Sequence, residues 1–352
     1  MAILKFNGVG ITALAGAVPS NVVKNLEYTQ HFNREDVQEI VEKTGIYERR
    51  FAPDGMCASD LCFAAAEKLI SDNQVDRSEI DLLVFISQTP DYRMPATSIL
   101  LQNRLGLSKQ TMAFDINLGC SAFVYGLSVV YALMEKSHFR KALILDGETR
   151  SKIYHPKDRK TAFLFGDGGV ATLVERNPNF GQSTFSLGSD GSKSDLISMK
   201  AGGYRHETNN QNLKEMVIDD FGNVSTDNHG RMDGGEVFNF VLKEIPNDIK
   251  NIFIESGVEQ SQIDYFVFHQ ANQFMNGYLQ KKFKIADDKF PLSIGKFGNT
   301  SSVSIPLTMV SELKDKMHDS KKILLCGFGV GMSWGSCILN TDNLKISNLV
   351  EL

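Results

Sequence analysis

Cysteine, tryptophan and long apolar runs are all scarce in this 352-residue chain, and each scarcity excludes a class of protein. The five cysteines, Cys57, Cys62, Cys120, Cys326 and Cys337, are odd in number and form no CxxC pair. That pattern argues against a disulfide framework and a zinc site, and it fits reduced thiols in a cytoplasmic enzyme. No stretch reaches the roughly 18 apolar residues that a membrane span needs. The N-terminal segment reads as a first strand and not as a signal peptide.

Strong charge of either sign is also lacking. The formal net charge is −5, which argues against a general nucleic-acid binder. Hydrophobic residues make up 42% and charged residues 22%, as in an ordinary globular protein that can bury a sizeable core. We therefore expect no nucleic-acid partner and no membrane partner. The length predicts two domains or one doubled domain.

Apolar, β-branched runs alternate with helical patterns along the chain. Runs bounded by turn residues predict strands over 82–89, 141–148, 169–175, 265–270, 323–328 and 333–340. Helical periodicity fits 58–71, 122–136, 236–256 and 302–317. Such alternation favours an α/β layered fold with buried sheets.

Three segments of the first half have weak echoes in the second half. SEIDLLVF at 78 resembles SQIDYFVF at 261, GCSAFVYGLSVVYALMEK at 119 resembles GNTSSVSIPLTMVSELKDK at 298, and KALILDGE at 141 resembles KKILLCGFG at 321. The three matches occur in one order and at nearly the same offset, which indicates duplication. We predict two similar α/β halves, 1–176 and 177–352.

A polar stretch from 177 to 235 lies between these halves. It is rich in Gly, Ser, Asn and Asp, a composition typical of surface loops. The stretch is interpreted as a solvated insertion, with a substrate-covering loop as the alternative.

Cys120 lies in the segment DINLGCSAFVYG, where an apolar strand runs into a small-residue turn and then a helix. A helix N-terminus stabilises a thiolate through its dipole and free N–H groups, and a thiolate is what attacks a thioester. The local sequence leaves open whether Cys120 is a nucleophile or an inert core residue. The other four cysteines lack this context and are predicted to be structural.

His269 and Asn299 are the candidate partners of Cys120. His269 follows an apolar strand, at the carboxyl end where α/β proteins place their sites, although a core histidine would look the same. Asn299 lies in a turn before the last long helix, where it could be an N-cap. Asn299 also occupies nearly the place in the second half that Cys120 has in the first. The repeat therefore predicts that both turns meet at one site.

Two glycine-rich turns accompany these residues. GFGVG (327–331) can bring main-chain N–H groups close to an oxyanion. FGDGG (165–169) is its expected counterpart in the first half, and Asp167 within it is predicted to be structural.

Together these residues resemble the β-ketoacyl-acyl-carrier-protein synthase III family of thiolase-like condensing enzymes. The matching segments cover nearly the whole chain in the family's order: KTGIYERR (43–50), DINLGCSAFVYGL (115–127), DRKTAFLFGDGGVATLVE (158–175), MDGGEVFNF (232–240), HQAN (269–272), GNTSSVSIPL (298–307) and GFGVGMSWGS (327–336). The resemblance implies a thiolase fold, with duplicated halves in a five-layer αβαβα arrangement.

The resemblance also implies a Cys120–His269–Asn299 triad for condensing an acyl thioester primer with malonyl-acyl-carrier protein. Cys120 would take the acyl group, and the main-chain N–H groups of Cys120 and Val330 would form the oxyanion hole. His269 and Asn299 would bind the malonyl thioester carbonyl as CO2 leaves. No metal or redox cofactor is implied. The expected partners are acyl carrier protein, an acyl-CoA or acyl-carrier-protein primer, and a second copy of the chain in a homodimer.

The resemblance implies substrate-binding roles for four further residues. Met94 would project across the dimer interface into the partner's acyl pocket, and Phe328 would line the active site. Arg159 is present where the family contacts CoA, but Glu39 replaces the tryptophan that often stacks on adenine. Phe274 stands where the family has an arginine for phosphopantetheine or carrier-protein recognition. These departures fit a specialised pathway as readily as fatty-acid initiation.

Two other functions remain open at the level of sequence. The acyl group on Cys120 could pass to an alcohol or amine without decarboxylation, although the presence of both His269 and Asn299 favours condensation. A non-catalytic partner subunit would not need Cys120.

Overall fold

The structure is a computed structural model that describes residues 1–352. In chain order the strands are β1 (Ala2–Phe6), β2 (Val9–Val18), β3 (Val22–Lys24), β4 (Glu48–Arg50), β5 (Ile80–Ile86), β6 (Met112–Ile116), β7 (Lys141–Thr149), β8 (Asp167–Arg176), β9 (Ser183–Ser189), β10 (Ile197–Met199), β11 (Met216–Val217), β12 (Val224–Ser225), β13 (Gly230–Met232), β14 (Tyr265–Phe268), β15 (Lys321–Gly329), β16 (Ser333–Thr341), β17 (Lys345–Ile346) and β18 (Val350–Glu351). The helices are α1 (Arg34–Thr44), α2 (Ala58–Asn73), α3 (Thr97–Arg104), α4 (Ala122–Lys136), α5 (Gly234–Ser256), α6 (Gln273–Phe283), α7 (Ile294–Phe297) and α8 (Ser304–Glu312).

Two mixed sheets share one strand order. The first contains the run β5-β7-β8-β2 and the second contains the run β14-β15-β16-β9. In each run the first pair is parallel and the next two pairs are antiparallel. The duplicated α/β architecture predicted from the internal repeat is therefore confirmed.

Each end of the chain adds strands to the sheet of the opposite half. β1 pairs with β9 in the second sheet, whereas β17 and β18 pair with β2 in the first sheet. The predicted boundary between residues 176 and 177 lies in the connection from β8 to β9.

Helices and sheets form five layers. α4 and α8 contact strands of both sheets and lie between them, α2 and α3 cover the outer face of the first sheet, and α5 covers that of the second. Three large apolar clusters fill the spaces between these layers. Because α4 is buried between two sheets, it is apolar around most of its circumference, as its sequence indicated.

The polar stretch 177–235 is not simply a set of surface loops, and that prediction was wrong for 183–189. Those residues form β9, which lies between β1 and β16 with its first five residues buried. Ser186 donates to the carboxylate of Asp248 at 2.5 Å, so this polar side chain is satisfied inside the protein. The rest of the stretch carries the small pairs β10–β13 and β11–β12.

Candidate active site

Cys120 lies in the turn between β6 and α4, two residues before the helix begins. Its side chain is buried, with 5% of the residue exposed. The neighbouring Ser121 is also buried, and its hydroxyl lies 2.7 Å from the hydroxyl of Ser333 across the two halves. The strand-to-helix turn that the sequence predicted around Cys120 is present, and a contact from the second half fixes it.

The glycine-rich turn 327–331 packs directly on Cys120. A Cβ atom on Gly327 would lie 2.8 Å from the carbonyl oxygen of Cys120, and one on Gly329 would lie 2.7 Å from its Sγ. Only glycine allows this approach, because real Cβ atoms do not come so close. The main-chain N–H groups of Cys120 and Val330 donate to no other main-chain oxygen. The Val330 N–H instead donates to Cys120 Sγ, so it is placed to donate to an oxyanion that forms beside the sulfur.

The thiol of Cys120 is acidified although it is buried. Burial alone would raise its pKa, but the imidazole of His269, the cation of Arg150 and the main-chain N–H of Val330 together lower the pKa to about 6. By contrast, burial raises the pKa of the Cys62, Cys326 and Cys337 thiols, on which no cationic side chain acts. Cys120 is thus largely a thiolate at neutral pH.

His269 follows β14 and is buried at the carboxyl end of that strand. Its main-chain N–H donates to the Cys326 carbonyl at 2.8 Å, which ties it to β15. Its Nδ1 lies 3.0 Å from the carbonyl oxygen of Ser301 and 2.8 Å from the hydroxyl of Ser304. A carbonyl can only accept, so this bond places a proton on Nδ1 and leaves Nε2 for the Cys120 side.

Asn299 is held by the glycine-rich turn of the other half. Its N–H donates to the Leu164 carbonyl at 2.8 Å, and its carbonyl accepts from Gly166 at 3.2 Å, which forms a bridge with Phe165. Its side-chain oxygen accepts from the Ser301 N–H at 2.9 Å, two residues further along the chain. The N-cap prediction was wrong, because the N-cap positions of the 3-10 turn and of α8 are Thr300 and Val303. The amide Nδ2 donates to the Ala271 carbonyl at 3.4 Å, and both residues line the cavity described next.

One small cavity joins the predicted residues. Cys120, His269 and Asn299 line it together with Phe328 and Val330. The Phe328 ring packs edge-on against His269 with ring centroids 5.4 Å apart. A wider cavity of about 740 Å³ shares Leu164, Met232, Asn272 and Met275 with it and opens toward the surface. The triad therefore lies at the inner end of a channel.

The 177–235 stretch contributes to that channel. Asp195, Ile218 and Arg231 line the outer cavity, Ile197 lines the inner cavity, and Met232 lines both. This placement agrees with the substrate-covering alternative for part of the stretch.

The remaining predicted substrate-binding residues lie further from the sulfur. Phe274 lines the outer cavity, is 63% exposed and packs against Phe238. Arg159 is paired with Asp36 at 3.1 Å and Glu39 at 3.6 Å, outside the channel lining. Met94 is 74% exposed.

Asp167 is structural, as predicted. Its carboxylate accepts from the main-chain N–H groups of Ala52 and Ser151 and from the Ser151 hydroxyl, at 2.6 to 2.8 Å.

The sequence reasoning missed the charged groups at the carboxyl end of β7. Arg150 is 4% exposed and lines the inner cavity, and Glu148 is fully buried beside it. Burial raises the pKa of the Glu148 carboxyl to about 7, although Arg150 opposes this shift. No local signal distinguishes these two residues from charged residues at a strand end that reach solvent.

No group of three or more His, Cys, Asp or Glu side chains is placed to hold a metal ion, and no helix is long and apolar enough to cross a bilayer.

Comparisons with known proteins agree with this geometry. Two family models match, 3-oxoacyl-[acyl-carrier-protein] synthase III over residues 114–191 and its C-terminal part over 253–341. A β-ketoacyl-[acyl-carrier-protein] synthase III from Streptococcus agalactiae is 34% identical, over 94% of this chain and 98% of its own length.

Solved structures match over the whole fold. A 3-oxoacyl-(acyl-carrier-protein) synthase from Burkholderia xenovorans is 35% identical with a TM-score of 0.93, covering 100% of this chain and 99% of its own. A synthase III from Thermus thermophilus is 30% identical with a TM-score of 0.83, covering 95% and 99% respectively.

Proposed function

This chain belongs to the 3-oxoacyl-[acyl-carrier-protein] synthase III family, and we propose that it joins an acyl thioester primer to malonyl-acyl-carrier protein by decarboxylative Claisen condensation. The observation that carries the proposal is one cavity at the end of a channel, lined by an acidified thiol, an imidazole and a carboxamide. Fatty-acid initiation and a specialised pathway both use this reaction.

In the first half-reaction the Cys120 thiolate attacks the primer's carbonyl carbon. The negative charge that develops on the carbonyl oxygen is stabilised by the N–H groups of Cys120 and Val330. The new bond joins Cys120 Sγ to the acyl carbon, and the donor leaves as a thiolate that takes a proton from solvent. The proton that His269 received from Cys120 stays on its Nε2.

In the second half-reaction malonyl thioester enters through the same channel. His269 Nε2 and Asn299 Nδ2 donate to its thioester carbonyl and stabilise the enolate that forms as CO2 leaves. The enolate carbon attacks the acyl-cysteine, and the Cys120 thiolate is regenerated beside His269. No step needs a metal or redox cofactor.

Two features support a carrier-protein primer over CoA. Arg159 is already neutralised by Asp36 and Glu39, so it has little charge left for a CoA phosphate. The outer cavity is lined by Asp158, Asp195 and Asp233 against only Lys160 and Arg231. We further propose a cytoplasmic homodimer in which Met94 reaches the partner's acyl pocket.

The test is intact mass after incubation with acyl-CoA and acyl-carrier-protein donors, with peptide mapping of the adduct. We expect one acyl group on Cys120, lost in Cys120→Ala and kept in the matched control Cys57→Ala, since Cys57 is the only cysteine of the chain that is not buried. An adduct that survives Cys120→Ala, or no adduct from any donor on the folded protein, would refute the proposal.

A further inference from the structure

The inner cavity contains a buried cation that binds no substrate group in the proposed condensation. Apart from the reacting pair Cys120 and His269, Arg150 is the only charged side chain among the residues that line this cavity. An alkyl acyl group packs favourably against apolar side chains, and packing it against a buried guanidinium is unfavourable because the cation loses its hydration.

The guanidinium of Arg150 is incompletely paired. Nη1 donates to Gln88 Oε1 at 3.1 Å and Nη2 donates to the Tyr154 hydroxyl at 2.7 Å. Nε has no hydrogen-bond partner, and no carboxylate oxygen lies within the 4.0 Å of an ion pair. The carboxylate oxygens of Glu148, two residues earlier in the chain, accept hydrogen bonds from the N–H of Gln88 and the hydroxyl of Thr89.

A second cavity of about 240 Å³ extends from the same arginine. It shares Arg150, Tyr154 and Phe165 with the inner cavity, and the two aromatic rings stack 3.9 Å apart between them. Arg49 also lines it, is 2% exposed and has an unpartnered Nη2. No Asp or Glu lines this space. The linings of the two cavities therefore contain two arginines and no carboxyl group, and the carboxyls that act on these arginines, Glu148 on Arg150 and Asp167 on Arg49, lie outside both linings.

Acylation removes part of the negative charge that faces Arg150. In the free enzyme Glu148 and the Cys120 thiolate both act on Arg150. Once the sulfur carries an acyl group it is a neutral thioester, and Glu148, whose pKa burial raises to about 7, is the one carboxyl left to compensate the guanidinium. A primer that brings its own anion restores the charge that the sulfur has lost.

We propose that the primer is a short acyl thioester that carries a second, free carboxylate, and that Arg150 binds this carboxylate at the junction of the two cavities. A planar guanidinium with free N–H groups suits a carboxylate, which it can bind in a bidentate manner. This inference rests on the proposed function. The acylation step is unchanged, because the thiolate attacks the thioester carbonyl and the distal carboxylate only binds.

The test compares chain-matched primers that differ in the terminal carboxylate: succinyl with butyryl, and glutaryl with pentanoyl, each on CoA and on carrier protein. Acylation of Cys120 is followed by intact mass under kcat/KM conditions. The variants are Arg150→Met, Arg150→Lys and the control Lys152→Met, whose charge lies on the same segment but outside both cavities. The ratio between two primers on one enzyme cancels any general change in the nucleophile.

We expect the native enzyme and Lys152→Met to prefer the carboxylated primer by about 10- to 100-fold, and Arg150→Met to lose that preference. Arg150→Lys should keep part of it. Equal slowing of all primers in Arg150→Met would show that Arg150 serves only the thiolate, and it would overturn the inference while leaving the proposed function intact. A native preference for butyryl and pentanoyl would overturn it equally. If no donor acylates Cys120, the proposed function fails and this inference with it.

Discussion

Gly329 and Cys120 pack so closely that a Cβ atom on Gly329 would lie 2.7 Å from Cys120 Sγ. Gly329→Ala must therefore displace the sulfur or the oxyanion turn. We expect the rate of Cys120 acylation to fall about 100-fold, the typical cost of a misplacement near 1 Å. Stopped-flow or quenched mass measurements of the acyl-enzyme check this rate.

The matched control is Gly191→Ala, since a Cβ atom there meets no atom within 4 Å. It should acylate at the native rate. Native acylation by a folded Gly329→Ala variant would contradict the packing of the turn on the nucleophile.

The acidity of Cys120 predicts the pH dependence of its alkylation. With a pKa of about 6, the thiolate forms as pH rises through 6, so the rate of reaction with iodoacetamide should reach half its plateau near that pH. The imidazole of His269 is the largest of the groups that lower this pKa, and Arg150 contributes too. His269→Ala should move the midpoint to higher pH, and Arg150→Met should move it by less.

Loss of the His269 imidazole should also affect acylation and condensation to different extents. At pH 9 His269→Ala should acylate far better than it condenses, because the thiolate then forms without the imidazole but the enolate still lacks a donor. Equal losses in both half-reactions at pH 9 would contradict the division of roles between Cys120 and His269.

Ser304 is placed to position the imidazole of His269. Its hydroxyl lies 2.8 Å from His269 Nδ1 and accepts from the Gln270 N–H at 3.1 Å. Ser304→Ala should lower the condensation rate by about tenfold, the value of roughly one hydrogen bond, with little change in KM. Ser293→Ala is the control, because it also loses a buried hydroxyl contact, to Thr308 at 2.7 Å, but not one with the imidazole. Similar condensation rates in the two variants would argue against a positioning role.

Asp248 predicts a pH-dependent stability. It is buried and accepts from Ser186 and Ser336, each at 2.5 Å, and burial raises its pKa to about 6. Because the folded-state pKa is the higher one, the native protein loses stability as pH rises from about 4 through 6. Asp248→Asn does not titrate, so it should be more stable than the native protein by roughly 2 kcal/mol at pH 8 and by less at pH 4. Urea unfolding at both pH values measures this difference, and a pH-independent difference would contradict it.

The sequence predicted those helices and strands whose apolar residue pattern reflects their burial in the core. The span 122–136 was predicted as a helix, and α4 has those bounds, because a strand, a small-residue turn and an apolar helix are all visible locally. The span 302–317 was too long, since α8 ends at Glu312 and short 3-10 turns flank it. β9 was missed, because its polar residues find their partner in Asp248, about 60 residues further along the chain.

The meeting of Cys120 and Asn299 at one cavity was predictable because the repeat placed their two turns at one centre, whereas the roles of the triad rest on the family resemblance. Arg150 was not, because an arginine after a strand usually reaches solvent, and only the tertiary structure shows its burial. The contact of each glycine-rich turn with the opposite half, Gly329 on Cys120 and Gly166 on Asn299, likewise depends on how the halves pack.

The most direct test of condensation uses purified acyl-Cys120 enzyme in a single turnover with malonyl-acyl-carrier protein labelled in its free carboxylate. We predict one labelled CO2 and one β-ketoacyl-carrier-protein for each acyl-enzyme consumed, and we expect Asn299→Ala to form both products much more slowly. Consumption of the acyl-enzyme without release of CO2, with the acyl group found on an alcohol or amine, would contradict it.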